Sequence, residues 1–281
     1  MSNKKYQHIK TYHNDIALKL AHKMFGLEHL HYGYFEKGSP VTLEGLNKAQ
    51  HTYVEKLIEM IPKEVKTILD VGCGTGGVAK QLVAKGYQVT CIAPDPYLIE
   101  KTLENTGGKV KTHTDLYENI QDFAPESFDL ILMSESCQYI KPDPGWEQNK
   151  KVLKKGGYYL VADFFKIRPI DNPTVSKSGQ PLDNFLERAE KANFKLLKQI
   201  DITPNVSPTM DLYQEILNVR LFPLLEAANE FITRKFPMIH KVFSYFLKEK
   251  ITFLVERYKT QDAANWIKYK GYYIFLFQKT A

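Results

Sequence analysis

Asp70, Gly72, Gly74 and Gly76 stand at alternate positions in "ILDVGCGTGGVAK", residues 68 to 80, directly after an apolar run and at the start of a helical pattern. Glycines at such a corner permit unusual dihedrals and let a ligand approach the main chain, while the helix start offers unpaired N–H groups. Two ligand classes compete for a corner of this kind. A dinucleotide site wants G-x-G-x-x-G, with its pyrophosphate on the helix N-terminus. Here the spacing is G-x-G-x-G, and an acid lies two residues before the first glycine. That carboxylate repels a diphosphate and attracts an ammonium group. A ligand with an amino-acid head, a sulfonium and an adenosine suits the corner better.

The elements that must hold this corner alternate in kind. "KTILDV" is a short buried strand and "GGVAKQLVAKG" a helix ended by Gly86; "YQVTCIA" is a strand and "DPYLIEKTLENTGG" a helix closed by Gly107 and Gly108. "KVKTHT" and "FDLILMSES" are strands, "WEQNKKVLKKGG" is a helix with a glycine stop, and "YYLVADFF" is the next strand. Helix "PLDNFLERAEKAN", strand "FKLLKQIDIT" and a terminal strand "YYIFLFQK" complete the series. Strands alternating with helices of this length call for a parallel sheet covered on both faces. Upstream, residues 14 to 25 have helical spacing, and "LNKAQHTYVEKLIEMI" is a helix stopped by Pro62. Residues 209 to about 264 read as helix almost throughout, with one break at Phe236-Pro237.

The corner resembles the first motif, acid-x-G-x-G-x-G, of the class I methyltransferases that use S-adenosyl-L-methionine. The resemblance extends to "VLKKGGYYLVADFF", with Lys155 where that family usually has proline, and covers roughly residues 60 to 205. It implies an α/β, Rossmann-like, seven-stranded, mostly parallel sheet with helices on both faces and the last strand antiparallel. The chain is then one methyltransferase domain over 1–281. An N-terminal helical cap fills 1–60, the core 61–208 and 265–281, and a helical lid 209–264 is inserted between the last two strands. Asp70, Gly72, Cys73, Gly74 and Gly76 form the expected cofactor loop. Asp115 and the N–H of Leu116 are placed to hold the adenine, and Ser134 lies where the fourth strand borders the methyl-transfer site. One departure stands out: the family ends its second strand with a ribose-binding acid, whereas this chain has Ala93 there and Asp95 two residues on. Either Asp95 reaches the ribose or it caps the following helix.

"HLHYGYFEKG", residues 29 to 38, resembles the "H-x-G-Y-W/F" segment of methyltransferases acting on sterols, tocopherols, cyclopropane lipids and glycosylated natural products. Tyr32 and Tyr34 are therefore expected to close over the cofactor, where aromatic faces attract a sulfonium. "IDITPNVSPT", 200 to 209, resembles that group's loop between the sixth strand and the insertion. The insertion is rich in Phe and Leu, so a partly hydrophobic small-molecule substrate is expected. Its Arg220, Arg234, Lys235, Lys241, Lys248 and Lys250 could form a membrane-facing patch, although a solvated helix face is the simpler reading. Candidate bases are His31, Glu135 and Tyr139; His240 reads as structural.

Composition narrows the rivals. A net charge of +6 without an arginine-rich stripe argues against nucleic acid, as does "SESC" where a base-modifying enzyme would carry Asn/Asp-Pro-Pro-Tyr/Phe. Three cysteines and no apolar run of about 18 residues suit a cytoplasmic protein with reduced thiols. Two other functions stay open, a non-catalytic S-adenosylmethionine-binding module and an NAD-dependent oxidoreductase.

Overall fold

The computed structural model describes residues 29–172, 175–236 and 262–280. The expected helix at 14–25 and the stretch 237–261, which holds His240, Lys241, Lys248 and Lys250, lie outside them. In chain order the elements are α1 (Leu43–Glu59), β1 (Thr67–Val71), α2 (Gly77–Ala84), β2 (Gln88–Ala93), α3 (Pro96–Thr106), β3 (Lys111–Thr114) and β4 (Phe128–Ser134). There follow α4 (Pro142–Val152), β5 (Leu153–Lys166), α5 (Leu182–Lys191), β6 (Phe194–Asp201), α6 (Thr203–Val206), α7 (Pro208–Glu215), α8 (Phe222–Lys235), α9 (Ala263–Ile267) and β7 (Lys270–Lys279).

The seven strands form one sheet in the order β3-β2-β1-β4-β5-β7-β6, with β7 antiparallel to both neighbours. This is the expected architecture. The strands β1, β2 and β4 are apolar on both sides because both faces are covered. Tyr53, Val54 and Leu57 of α1 and Val78, Ala79 and Leu82 of α2 pack on one face, together with Trp266 of α9. Trp146 of α4 and Phe185 of α5 pack on the other.

Local chemistry sets the ends that matter for the site. Thr42 caps α1 by accepting from Gly45 N, and Asp95 caps α3 by accepting from Tyr97 N, with Pro96 supplying the first helical residue. Two boundaries differ from expectation. Helix α4 starts at Pro142 rather than near Trp146, since proline is tolerated at a helix start, and it ends before Leu153. The glycines at 156 and 157 do not stop that helix. They lie inside β5, where the register against β4 jumps from Phe128↔Leu153 to Leu130↔Tyr158. The 200–209 segment is also more ordered than a loop: it forms α6 and the start of α7, each with a proline in its first turn. From α7 the chain continues through a π-helical stretch, Ile216–Leu221, into α8, which ends at Lys235. No helix among the described residues is long and apolar enough to cross a membrane.

Candidate functional site

The site lies at the carboxyl ends of β1, β2, β4 and β5, the edge of an open α/β sheet where ligands bind in the crevice between strand ends. Its floor is the loop from Gly72 to Gly76. Gly72 has φ +76°, and a β-carbon there would overlap the side chain of Ser136, whose Oγ donates to Val71 O at 2.5 Å. Gly74, at φ +57°, would meet nothing within 4 Å. The same substitution should therefore have different costs at the two positions. Gly72→Ala combines backbone strain with overpacking, an expected loss of about 2–5 kcal/mol. Gly74→Ala should cost about 1–2 kcal/mol, from backbone strain alone. Thermal unfolding of the two variants checks the order. The remaining glycines serve packing: a β-carbon at Gly76 would press on Thr102 of α3, and one at Gly77 on the ring of His29. Cys73 turns its sulfur away from the loop mouth toward Thr102 Oγ1, 3.5 Å distant.

Two carboxylates flank this floor with unused oxygens. Asp70 is 2% exposed, makes no hydrogen bond among the described residues, and has Oδ2 wholly buried. Burial alone pushes its pKa up to about 7. Asp95, also 2% exposed, accepts at Oδ1 from Tyr97 N at 2.9 Å and leaves Oδ2 buried without a partner. A buried acceptor without a donor costs about 1–3 kcal/mol, so such atoms mark places where a ligand belongs. Both fit S-adenosylmethionine, which carries an ammonium and hydroxyl donors. The N–H of Leu116 donates to Asp115 Oδ1 at 2.8 Å, so the two groups expected at the adenine hold each other.

Across the loop runs the strap from His29 to Phe35. Gly33 N donates to Thr209 Oγ1 of α7, Tyr34 N to Ala49 O of α1, and Phe35 N to Asn205 O of α6. Tyr32 N donates to Glu135 Oε1 at 2.8 Å. The Tyr32 ring lies about 6 Å from those of Phe164, Trp266 and Tyr272, centre to centre. The Tyr34 side chain is half-buried.

Glu135 follows β4 with φ +54°, an uncommon conformation for a side chain of its kind. Its Oε1 accepts from Tyr32 N and from Tyr272 OH, each at 2.8 Å, while Oε2 makes no hydrogen bond among the described residues. Burial, reinforced by the nearby Asp163 carboxyl, outweighs these two donors and raises its pKa to about 8. Ser134 Oγ lies 3.1 Å from Tyr53 OH. The other candidate bases are placed differently. His31 is buried, its Nδ1 facing Tyr32 O at 2.8 Å and its ring stacked on Tyr53; burial, with His29 beside it, lowers its pKa to about 3. It is neutral at neutral pH and a poor base. Tyr139 is 77% exposed, in the turn that follows β4.

The family model described as "Methyltransferase domain" matches residues 69–161, which span the loop, both flanking acids and Glu135. Methyltransferase GfsG of Streptomyces halstedii is 27% identical over 69% of this chain and 76% of its own. Ajmaline N-methyltransferase of Rauvolfia serpentina is 22% identical over 67% and 75%. The chain is a class I S-adenosylmethionine-dependent methyltransferase. Among solved structures, the [4+2]-cyclase SpnF superposes on the methyltransferase with a TM-score of 0.70 at 19% identity, over 98% of this chain and 96% of that one.

Four buried residues of the methyltransferase site were not singled out by sequence: Tyr53 of α1, Asp163 of β5, Trp266 of α9 and Tyr272 of β7. Asp163 fixes the turn after β4, accepting from Cys137 Sγ at 3.2 Å and from Gln138 Nε2 at 3.2 Å. It had a visible signal, a lone acid inside the apolar run "YYLVADFF". Tyr53, Tyr272 and Trp266 had none, because one aromatic residue in an apolar segment looks like any other core residue.

Proposed function

We propose that this methyltransferase methylates a small, partly apolar metabolite, and that Glu135 takes the proton which the acceptor atom loses. The observation that carries the reading is the pairing of a buried Asp70 that makes no hydrogen bond among the described residues, at the carboxyl end of β1, with a Glu135 just past the end of β4 whose Oε1 alone is hydrogen-bonded among them. Asp70 would hold the cofactor's ammonium, Asp95 Oδ2 a ribose hydroxyl, and Asp115 with Leu116 the adenine. The open side of Gly74 and the backbone of Gly72, Cys73 and Gly76 leave room for the chain between. When bound, S-adenosylmethionine supplies a methyl group made electrophilic by its sulfonium. The protein's share is then alignment, exclusion of water and custody of a proton.

Tyr32 and Tyr34 would close the strap over the site. The rings of Tyr32, Phe164, Tyr213, Trp266 and Tyr272 form an apolar wall beside Glu135, which suits an acceptor with a hydrophobic body. The name of ajmaline N-methyltransferase points to a nitrogen acceptor, and a carboxylate base with a raised pKa serves a nitrogen or an oxygen acceptor alike. The direct test is incubation with S-adenosylmethionine labelled in its methyl group and a panel of amines, phenols and isoprenoid alcohols. Transfer of label to any of them supports the reading. Binding of the cofactor with no transfer across the panel would favour a module that binds and does not catalyse.

The dual placement of Asp95 is separable. Asp95→Ser keeps a helix cap and loses the second oxygen. It should weaken cofactor binding by about 10-fold and leave the melting temperature nearly unchanged. Unaltered affinity in the stable variant would leave Asp95 a cap alone.

A further inference from the structure

Three hydroxyls run in a line behind Glu135. Tyr272 OH lies 2.8 Å from Glu135 Oε1, Tyr53 OH 2.8 Å from Tyr272 OH, and Ser134 Oγ 3.1 Å from Tyr53 OH. Both tyrosine side chains are fully buried. Such a line has two ways to order its protons, and the carboxylate chooses. An ionised Glu135 can only accept, so Tyr272 must donate to it. The Tyr272 oxygen is then free to accept from Tyr53, and the Tyr53 oxygen from Ser134. Each hydroxyl donates once, in one direction, and the donors polarise one another toward the carboxylate. Together with the backbone N–H of Tyr32 they saturate Oε1. Oε2 is left as the one carboxyl oxygen able to take a proton without reversing the line.

We infer that Tyr272, oriented by Tyr53 and Ser134, is a positioning residue for the methyl-transfer reaction: it reserves Oε2 of Glu135 as the atom that meets the acceptor. The inference rests on the reading of Glu135 as proton acceptor and adds how that atom is selected. Glu135 itself stands at a left-handed backbone position, φ +54°, and its Oε1 meets a hydroxyl on β7, 137 residues along the chain. The titratable groups facing Glu135 are Tyr32 from the strap, Tyr53 from α1, Tyr139 from the turn after β4, Asp163 from β5, Tyr213 from α7 and Tyr272 from β7. Asp163 raises the proton affinity of Glu135 and the Tyr272 hydroxyl lowers it, so deleting that hydroxyl has a defined sign.

The experiment compares wild type, Tyr272→Phe and Tyr53→Phe in two measurements. In the first, the cofactor-free protein carrying glutamate labelled with 13C at the side-chain carboxyl is titrated by NMR, with Glu135→Gln assigning the resonance. Loss of one hydrogen bond to a charged group should move the Glu135 midpoint upward by about one pH unit in Tyr272→Phe. Tyr53→Phe should move it the same way by less. In the second, the pH profile of kcat should shift by the same amounts, while S-adenosylhomocysteine affinity stays within about twofold. An unmoved carboxyl midpoint in folded Tyr272→Phe would overturn the inference. A moved midpoint with a kcat profile that ignores it would instead overturn Glu135 as the proton acceptor, so the two failures are distinguishable.

Discussion

Asp70→Asn should bind S-adenosylhomocysteine a few hundredfold more weakly than the wild type, a loss of about 3–4 kcal/mol for removing one partner of a buried, charge-assisted pair. Its unliganded form should be no less stable. The Asp70 carboxyl makes no hydrogen bond among the described residues, so asparagine breaks nothing there and removes a charge the fold desolvates. Affinity lost with stability kept is what a binding residue gives; a structural residue would lose both. The pH dependence follows from the same group. Folding raises the Asp70 pKa from 3.8 to about 7, so over that range the folded protein holds a proton that the unfolded chain has released. This acid therefore lowers the stability of the unliganded protein as pH climbs through that window. For the ligand the sign is reversed: an ammonium pairs with ionised Asp70, so wild-type affinity should fall by up to about tenfold for each pH unit below the folded-state pKa. In Asp70→Asn that slope should vanish. Calorimetric titrations at several pH values read both effects.

Glu135→Gln should lower kcat by about 10²- to 10⁴-fold, the usual worth of a positioned general base, with cofactor affinity changed only a few-fold. Glutamine is the informative replacement because its carbonyl oxygen can still accept from Tyr32 N and Tyr272 OH, so the strap keeps its anchor. In the wild type the base acts only when ionised, and burial holds its pKa at about 8, so kcat should rise with pH through that region before levelling. The glutamine variant should show a flat, low profile. An acceptor that ionises without help would remove the need for a base. Glu135→Gln would then retain most of its rate on that acceptor, a separate and readable result.

What the sequence disclosed depended on distance along the chain. The loop was legible because Asp70 and its glycines are neighbours on one corner, where the glycine spacing and the acid before it together favour an ammonium over a diphosphate. The sheet was legible because buried parallel strands are apolar runs and the helices between them keep helical spacing, α3 also being closed by the Asp95 cap and the left-handed Gly107. Glu135 was visible as the first acid after such a run. The groups that control it were not. Tyr53 and Tyr272 are 219 residues apart, and their hydroxyls meet only once β7 has inserted beside β5 and α1 has packed on the same face. Gly156 and Gly157 misled for a related reason: a glycine pair after a helix is an ordinary stop, whereas here it makes room for a register jump between β4 and β5. Asp95 had two readings from sequence, and its two oxygens have different surroundings, one capping α3 and one unpartnered.

The central claim is that the acid closing β1 selects an amino-acid cation over a diphosphate. It is tested most directly by calorimetry on the purified protein, titrated separately with S-adenosylhomocysteine and with NADH. The account predicts saturable, single-site heat with the first and none with the second. Heat with NADH and silence with S-adenosylhomocysteine would contradict it.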